Sequence, residues 1–457
     1  MTEARRSNAG RFGEATGKRW TAKVRADAFT DRSAHALPAR RAPAPLPRGA
    51  LQPAIGREKT SIALHNMRGL AIAFVLMTHA CLAYIASAPA QPFPFDRPPY
   101  GWLTFPIVDS RRWFGFDVFC AWQDVYLMSL WFFLSGVFTW RSIERDGGLR
   151  FLTKRVLRLG APLLFGVTLL MPVALYPVYR VTAPDPSLTG YVREYLALPF
   201  VPCGPLWFLW LLLALTLAAA ALHRFARRTI PTVGNLSQQL ESRPIRTFAI
   251  WIVVCVVAYV PLAFQFTPWR WATQGPIAVQ LSRPLLYAVY YCAGLGVGTA
   301  GLGAGMLRTD GIGPRKWAIW MAAAAASLAL WMGLTGLILH LGQSTPLLLE
   351  AARDASFALA GACGVIFVLA FCLRFGATER WPLFARLSDN ALGVYVLHYA
   401  PVVWLQYALL GLAWPAPLKA ALVFCGATAS CLAAIAAARS LRRSLATRLS
   451  SRWVFGS

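Results

Sequence analysis

Beyond residue 60 the chain alternates long apolar runs with short polar connections. The runs fall near 62–86, 125–142, 156–178, 205–223, 247–266, 283–300, 317–340, 354–374, 389–410 and 416–438. Most are long enough to cross a hydrocarbon core of about 30 Å at about 1.5 Å per helical residue. The second and sixth are the shortest. The pattern predicts an all-α, polytopic integral membrane bundle of about ten transmembrane helices. Residues 1–60 differ in kind. They are rich in Arg, Ala and Pro, lack aliphatic clusters, and read as a basic disordered cytoplasmic tail. The first apolar run starts near Ile62, too late and too long for the core of a secretory signal.

Composition agrees with a membrane chain. Hydrophobic residues make up 57% and charged residues only 14%, too little charge to cover a soluble domain of this size. Lys and Arg number 45 against 19 Asp and Glu. Because this charge lies between apolar runs, anionic lipid and membrane orientation explain it better than nucleic acid. Placing the N-terminus inside puts about 14 Lys and Arg in the tail through Arg68 and about 22 in the other inner segments, but only about nine in the outer loops. That asymmetry predicts an even number of spans with both termini cytoplasmic. The expected organisation is a tail over 1–60, a membrane domain over 61–440 and a short basic tail over 441–457. The nine Cys form no C-x-x-C and no metal-spaced cluster, so no metal site is expected. Cys120 and Cys203 fall in loops on the same expected side, either as small hydrophobes or as a disulfide.

The sharpest chemical signal lies in the first run, in Leu64-His65-Asn66-Met67-Arg68-Gly69-Leu70 and Thr78-His79. Eleven residues are about three turns, so Arg68 and His79 share a helix face about 16 Å apart along the axis. Arg68 then sits near the inner interface and His79 deep in the membrane. A buried His needs a polar cavity or a partner, and imidazole can act as a general base near neutrality. A helix–helix hydrogen bond is the competing reading. Arg155 and Arg158 open the third run three residues apart, suited either to a diphosphate or to simple anchoring at the inner interface. Trp131 to Gly136, with Ser135, ends the second run in small residues that let helices approach. Tyr395 and His398 share a face in the ninth run. His65 and His223 read as solvated, and His340 ends a run on the outer side. The outer loop near 87–124, dense in Pro and aromatics, forms an interfacial belt or a stacking platform for sugars.

Taken together these segments resemble the membrane-bound acyltransferase 3 family. Arg68, ten residues and His79 match its first-helix pattern. Phe132 to Gly136 resembles its F-F-x-x-S-G stretch, Arg155 and Arg158 its inner R-x-x-R, and Gly204-Pro205-Leu206-Trp207-Phe208-Leu209 its aromatic G-x-x-W-F-L segment. The run from Ser388 through Tyr395 to His398 is similar to its late S-x-x-x-Y-x-x-H, with longer spacing from the Ser. The likeness covers roughly 60–440 and extends to members that succinylate periplasmic glucans. It implies an O-acyltransferase of the bacterial inner membrane, with no permanently bound cofactor. Acyl-CoA would be the cytosolic donor and a glycan hydroxyl the acceptor, with lipid contacts, no nucleic acid and room for a periplasmic partner protein. It further implies His79 and Arg68 as catalytic, Arg155 and Arg158 as donor-binding, and Ser135, Trp207, Tyr395 and His398 as supporting residues. A transporter or flippase of a polar lipid or saccharide would also account for ten helices. Against it, the predicted spans hold no acidic residue well inside them and no matching pair of broken helices. The H-x-x-x-x-D of glycerolipid acyltransferases is absent, while a class with its His in a late helix stays open through His398.

Overall fold

The computed structural model describes residues 48–225, 243–275 and 277–454. The basic segment 1–47 therefore lies outside the described residues. The chain is overwhelmingly helical, and eight of the described helices are long and apolar enough to cross a membrane. Helix α1 spans Arg48–Cys81, α2 Phe114–Asp146 and α3 Gly148–Thr182. A short α4 covers Leu188–Ala197, followed by α5 over Trp207–Phe225 and α6 over Pro244–Phe266. Then come α7 at Pro284–Ala300, α8 at Trp317–Leu341 and α9 at Leu347–Phe375. Three pieces follow, α10 Pro382–Asp389, α11 Ala391–Leu397 and α12 Tyr399–Ala408, before α13 closes the bundle over Ala416–Val454. Residues 48–60 and 441–454, expected in the tails, continue α1 and α13.

Boundaries follow local chemistry. Helices α6, α7 and α10 each open on Pro, whose missing N–H costs nothing at the first helical position. Helix α2 ends at Gly147, with φ 77°. Two apolar runs differ from expectation. The second, placed at 125–142, is the middle of a 33-residue helix. The ninth, placed at 389–410, is not continuous: it breaks at Asn390 and again at His398. Pro401 has no N–H to give the Leu397 carbonyl four residues back, which accounts for the second break. Helix α3 carries two π-helical stretches, Val156–Gly160 and Gly166–Leu170, a geometry that concentrates at functional sites. The outer segment after α6, expected as a loop, holds an antiparallel hairpin of β1 (Trp271–Gln274) and β2 (Ile277–Gln280), with Trp271 opposite Gln280.

Packing uses small residues as the sequence suggested. A Cβ on Gly136 of α2 would lie 2.2 Å from the Tyr291 carbonyl oxygen of α7, and one on Gly294 2.1 Å from that of Phe133. These backbones touch, gaining dispersion contacts where lipid supplies no hydrophobic drive. At one end of the bundle, Thr60 donates to the Leu307 carbonyl at 2.8 Å, and Asn66 donates to the carbonyls of Gly376 and Glu379. At the other end, Ala86 N and Ser87 N donate to Asp117, and Lys419 pairs with Asp109.

Candidate active site between the first helix and the broken helix

Helix α1 presents one polar stripe to α10, α11 and α12. Toward the middle of α1 the Arg68 Nε–H donates to Ser388 Oγ at 3.0 Å. Further along, the His79 ring lies 5.1 Å from the His398 ring and 5.6 Å from that of Tyr399. Both side chains expected to share a face do so, and the face meets protein rather than lipid. Gln406 of α12 donates to the carbonyls of His79 and Ala80, fixing the two helices at this level.

The two imidazoles differ in environment. His79 is half-buried and makes no side-chain hydrogen bond among the described residues. His398 is wholly buried, with Nδ1 2.6 Å from the Tyr395 carbonyl oxygen. A carbonyl only accepts, so Nδ1 carries the proton and Nε2 is left with its lone pair. That Nε2 is buried without a partner. The break at His398 thus delivers a basic nitrogen into the middle of the bundle beside a second imidazole.

An aromatic wall backs this pair. The Tyr395 hydroxyl donates to the Pro205 carbonyl, seating the start of α5 against α11. Phe208 lies edge-on to Tyr395 at 5.6 Å and to Phe132 at 4.9 Å, while Trp207 stacks on Tyr287 at 5.7 Å and meets Trp271 of the hairpin at 5.8 Å. Ser135 is not brought to the histidines. It lies on the α2 segment that packs on α7, where its carbonyl accepts from the Thr139 hydroxyl.

Arg155 and Arg158 part company. Arg155 is half-buried over the Phe151 ring, at 5.3 Å. Arg158, inside the first π stretch, is exposed in an open groove of about 470 Å³. Leu157, Phe165, Leu392 and Val396 also line that groove, which reaches Leu397 beside His398.

Several residues depart from the sequence reading. His65 is not solvated: its side chain is 11% exposed, with Nδ1 3.2 Å from Ser388 Oγ. His223 is buried against Trp140, ring centres 4.5 Å apart. His340 is exposed at the end of α8. All nine Cys are free, so Cys120 and Cys203 do not pair. Because α2 and α9 begin earlier than expected, Asp124 and Asp354 sit inside spans rather than at their edges. Each is ion-paired, Asp124 to both terminal nitrogens of Arg283 at 2.6 and 2.7 Å, and Asp354 to Arg353 at 2.8 Å. Missing such acids therefore no longer counts against transport, although these two are spent on arginines.

The sequence model of a family described as an acyltransferase domain matches residues 61–436, which takes in α1 through most of α13. No curated protein and no solved structure matches the chain.

Proposed function

The chain belongs to the acyltransferase 3 family and is a membrane acyltransferase, and from that premise we propose that it moves an acetyl- or succinyl-type group from cytosolic acyl-CoA to a hydroxyl of an envelope glycan. The resemblance of its motifs to family members that succinylate periplasmic glucans supports a periplasmic glucan as acceptor and the bacterial inner membrane as location, and the distribution of Lys and Arg supports both termini on the cytoplasmic side. The observation that carries the reading is the His79–His398 pair, 5.1 Å apart on the face that also bears Arg68.

In this mechanism Arg158 and Arg68 meet the phosphates of the donor at the inner rim, with Arg155 behind them. The acyl arm enters along the groove toward Leu397. His79 takes the proton from the acceptor hydroxyl as its oxygen attacks the thioester carbonyl. The tetrahedral intermediate then expels the CoA thiolate, which recovers the proton from the His79 imidazolium. Attack inside an apolar bundle limits loss of the acyl group to water. Trp207 and Tyr395 hold the wall against which the acceptor rests.

His79→Ala is expected to lower acyl transfer by roughly 10²–10⁴-fold while the protein still inserts and folds. Near wild-type turnover would remove His79 as the base. A second reading has one observation in its favour: the unpartnered Nε2 makes His398 the base and His79 its neighbour. Comparing His79→Ala with His398→Ala by single-turnover transfer decides, because the base is the variant that loses the chemical step. Turnover of labelled acyl-CoA by purified protein separates either scheme from transport.

A further inference from the structure

The segment from His65 to Gly69 meets α10 through His65, Arg68 and Gly69, and the turn before α10 through Asn66. Asn66 is fully buried and donates to Gly376 and Glu379, while the Trp381 N–H donates back to its side chain at 2.9 Å. A Cβ on Gly69 would stand 2.1 Å from the Phe384 carbonyl oxygen, so only glycine lets α10 come this close. That approach brings Ser388 within reach of Arg68 and His65 together.

Ser388 is 3% exposed, and its single hydroxyl serves two partners. Oγ accepts from Arg68 Nε, which leaves the hydroxyl proton for His65 Nδ1, and the His65 proton on Nε2, 3.7 Å from Asp389. Asp389 also acts on Arg68 but forms no ion pair with it. Bound only through Nε, Arg68 keeps both terminal nitrogens without a protein acceptor among the described residues, which suits them to a bidentate anion.

We infer that Ser388 and His65 are positioning residues that hold Arg68 so that its two terminal nitrogens meet the phosphate groups of a nucleotide-bearing thioester. This rests on the donor-side reading above and adds to it the two residues that orient Arg68.

The test uses purified full-length protein in lipid nanodiscs, with acyl-CoA as the varied substrate. Ser388→Ala is expected to raise the KM for acyl-CoA about tenfold with kcat within about twofold, as for a lost hydrogen bond to a charged group. Ser388→Thr keeps the hydroxyl and is expected to restore the KM. Arg68→Ala and Arg158→Ala raise it at least as far, and Arg155→Ala less. If the arginine variants raise the KM and Ser388→Ala does not, the positioning role is overturned and the donor reading stands. An unchanged KM in Arg68→Ala overturns both. Should Ser388→Ala fail to give monodisperse protein, His65→Ala carries the test, with a rise of about threefold supporting the inference and no rise overturning it.

Discussion

The two ends of the bundle use charge in opposite ways. At the end expected to be outer, Lys419 and Asp109 pair at 2.7 Å with side chains 0% and 1% exposed, and Arg111 N–H also donates to Asp109. Arg112 caps the carbonyls of Ala88 and Pro89, and Asp117 accepts from two backbone N–H groups. Lys419 ties the 87–113 loop to α13 and Asp117 ties its start to α2, while Arg112 closes the loop on itself. At the end expected to be inner, Arg68 and Arg158 are half-buried or exposed, and neither forms an ion pair among the described residues. Charge that closes a fold is buried and matched. Charge kept for a ligand is left accessible and unmatched, with hydrogen bonds that orient it without neutralising it.

The largest way to break this comparison is at the outer pair. Removing one partner leaves an uncompensated buried charge, so Lys419→Ala or Asp109→Ala is expected to cost about 3–5 kcal/mol. The double replacement Lys419→Met with Asp109→Leu is expected to recover most of that loss. Unfolding in mixed micelles reads both, and equal losses in single and double variants would show that packing, not charge, holds the loop. Next in size is Gly69→Ala at the inner end. The added methyl meets the backbone oxygen of Phe384, which cannot rotate away, so α10 must shift at a cost of about 1–3 kcal/mol. Because that shift also parts Ser388 from Arg68, the acyl-CoA KM should rise in the same variant. A stable Gly69→Ala protein with unchanged KM would refute the tight docking of α10.

Much of this was legible in the chain. Run lengths gave the bundle, and helical periodicity put Arg68 and His79 on one face, where each found a partner on α10–α12. What could not be read was the partner's shape. The run 389–410 is apolar enough to look like one helix, and Pro401 acts only through the donor it lacks at Leu397. Ser388 sat in the expected motif region, but its bond to Arg68 spans 320 residues and has no local signature. His65 looked like an interfacial residue because its burial is set by α10, not by its neighbours in sequence. Asp124 and Asp354 were misplaced because polar first turns do not register in an apolar window. Each is matched by an arginine, Asp124 by Arg283 at the start of α7 and Asp354 by its neighbour Arg353.

The outer end should also show small, local contributions. Ser187 caps α4 by accepting from Gly190 N at 3.0 Å, and its own N–H and hydroxyl hold the Asp185 carboxyl below its usual range. Ser187→Ala is expected to cost about 1 kcal/mol, read by the same unfolding measurement, without changing transfer. A loss in kcat would instead tie α4 to the chemistry.

The smallest expected stability effect is the most informative. Arg158 is exposed, sits in the π stretch of α3 and lines the groove, so its truncation leaves no cavity and no buried charge. Arg158→Ala is therefore expected to change stability by less than about 0.5 kcal/mol. The contrast with Lys419 tests the division between the two ends directly. Both are single cations removed from helices of one bundle, one expected to unfold it and the other to spare the fold while weakening the donor. If Arg158→Ala unfolded the protein as Lys419→Ala does, the inner charges would be structural and the rim would have no unmatched cation to offer a phosphate.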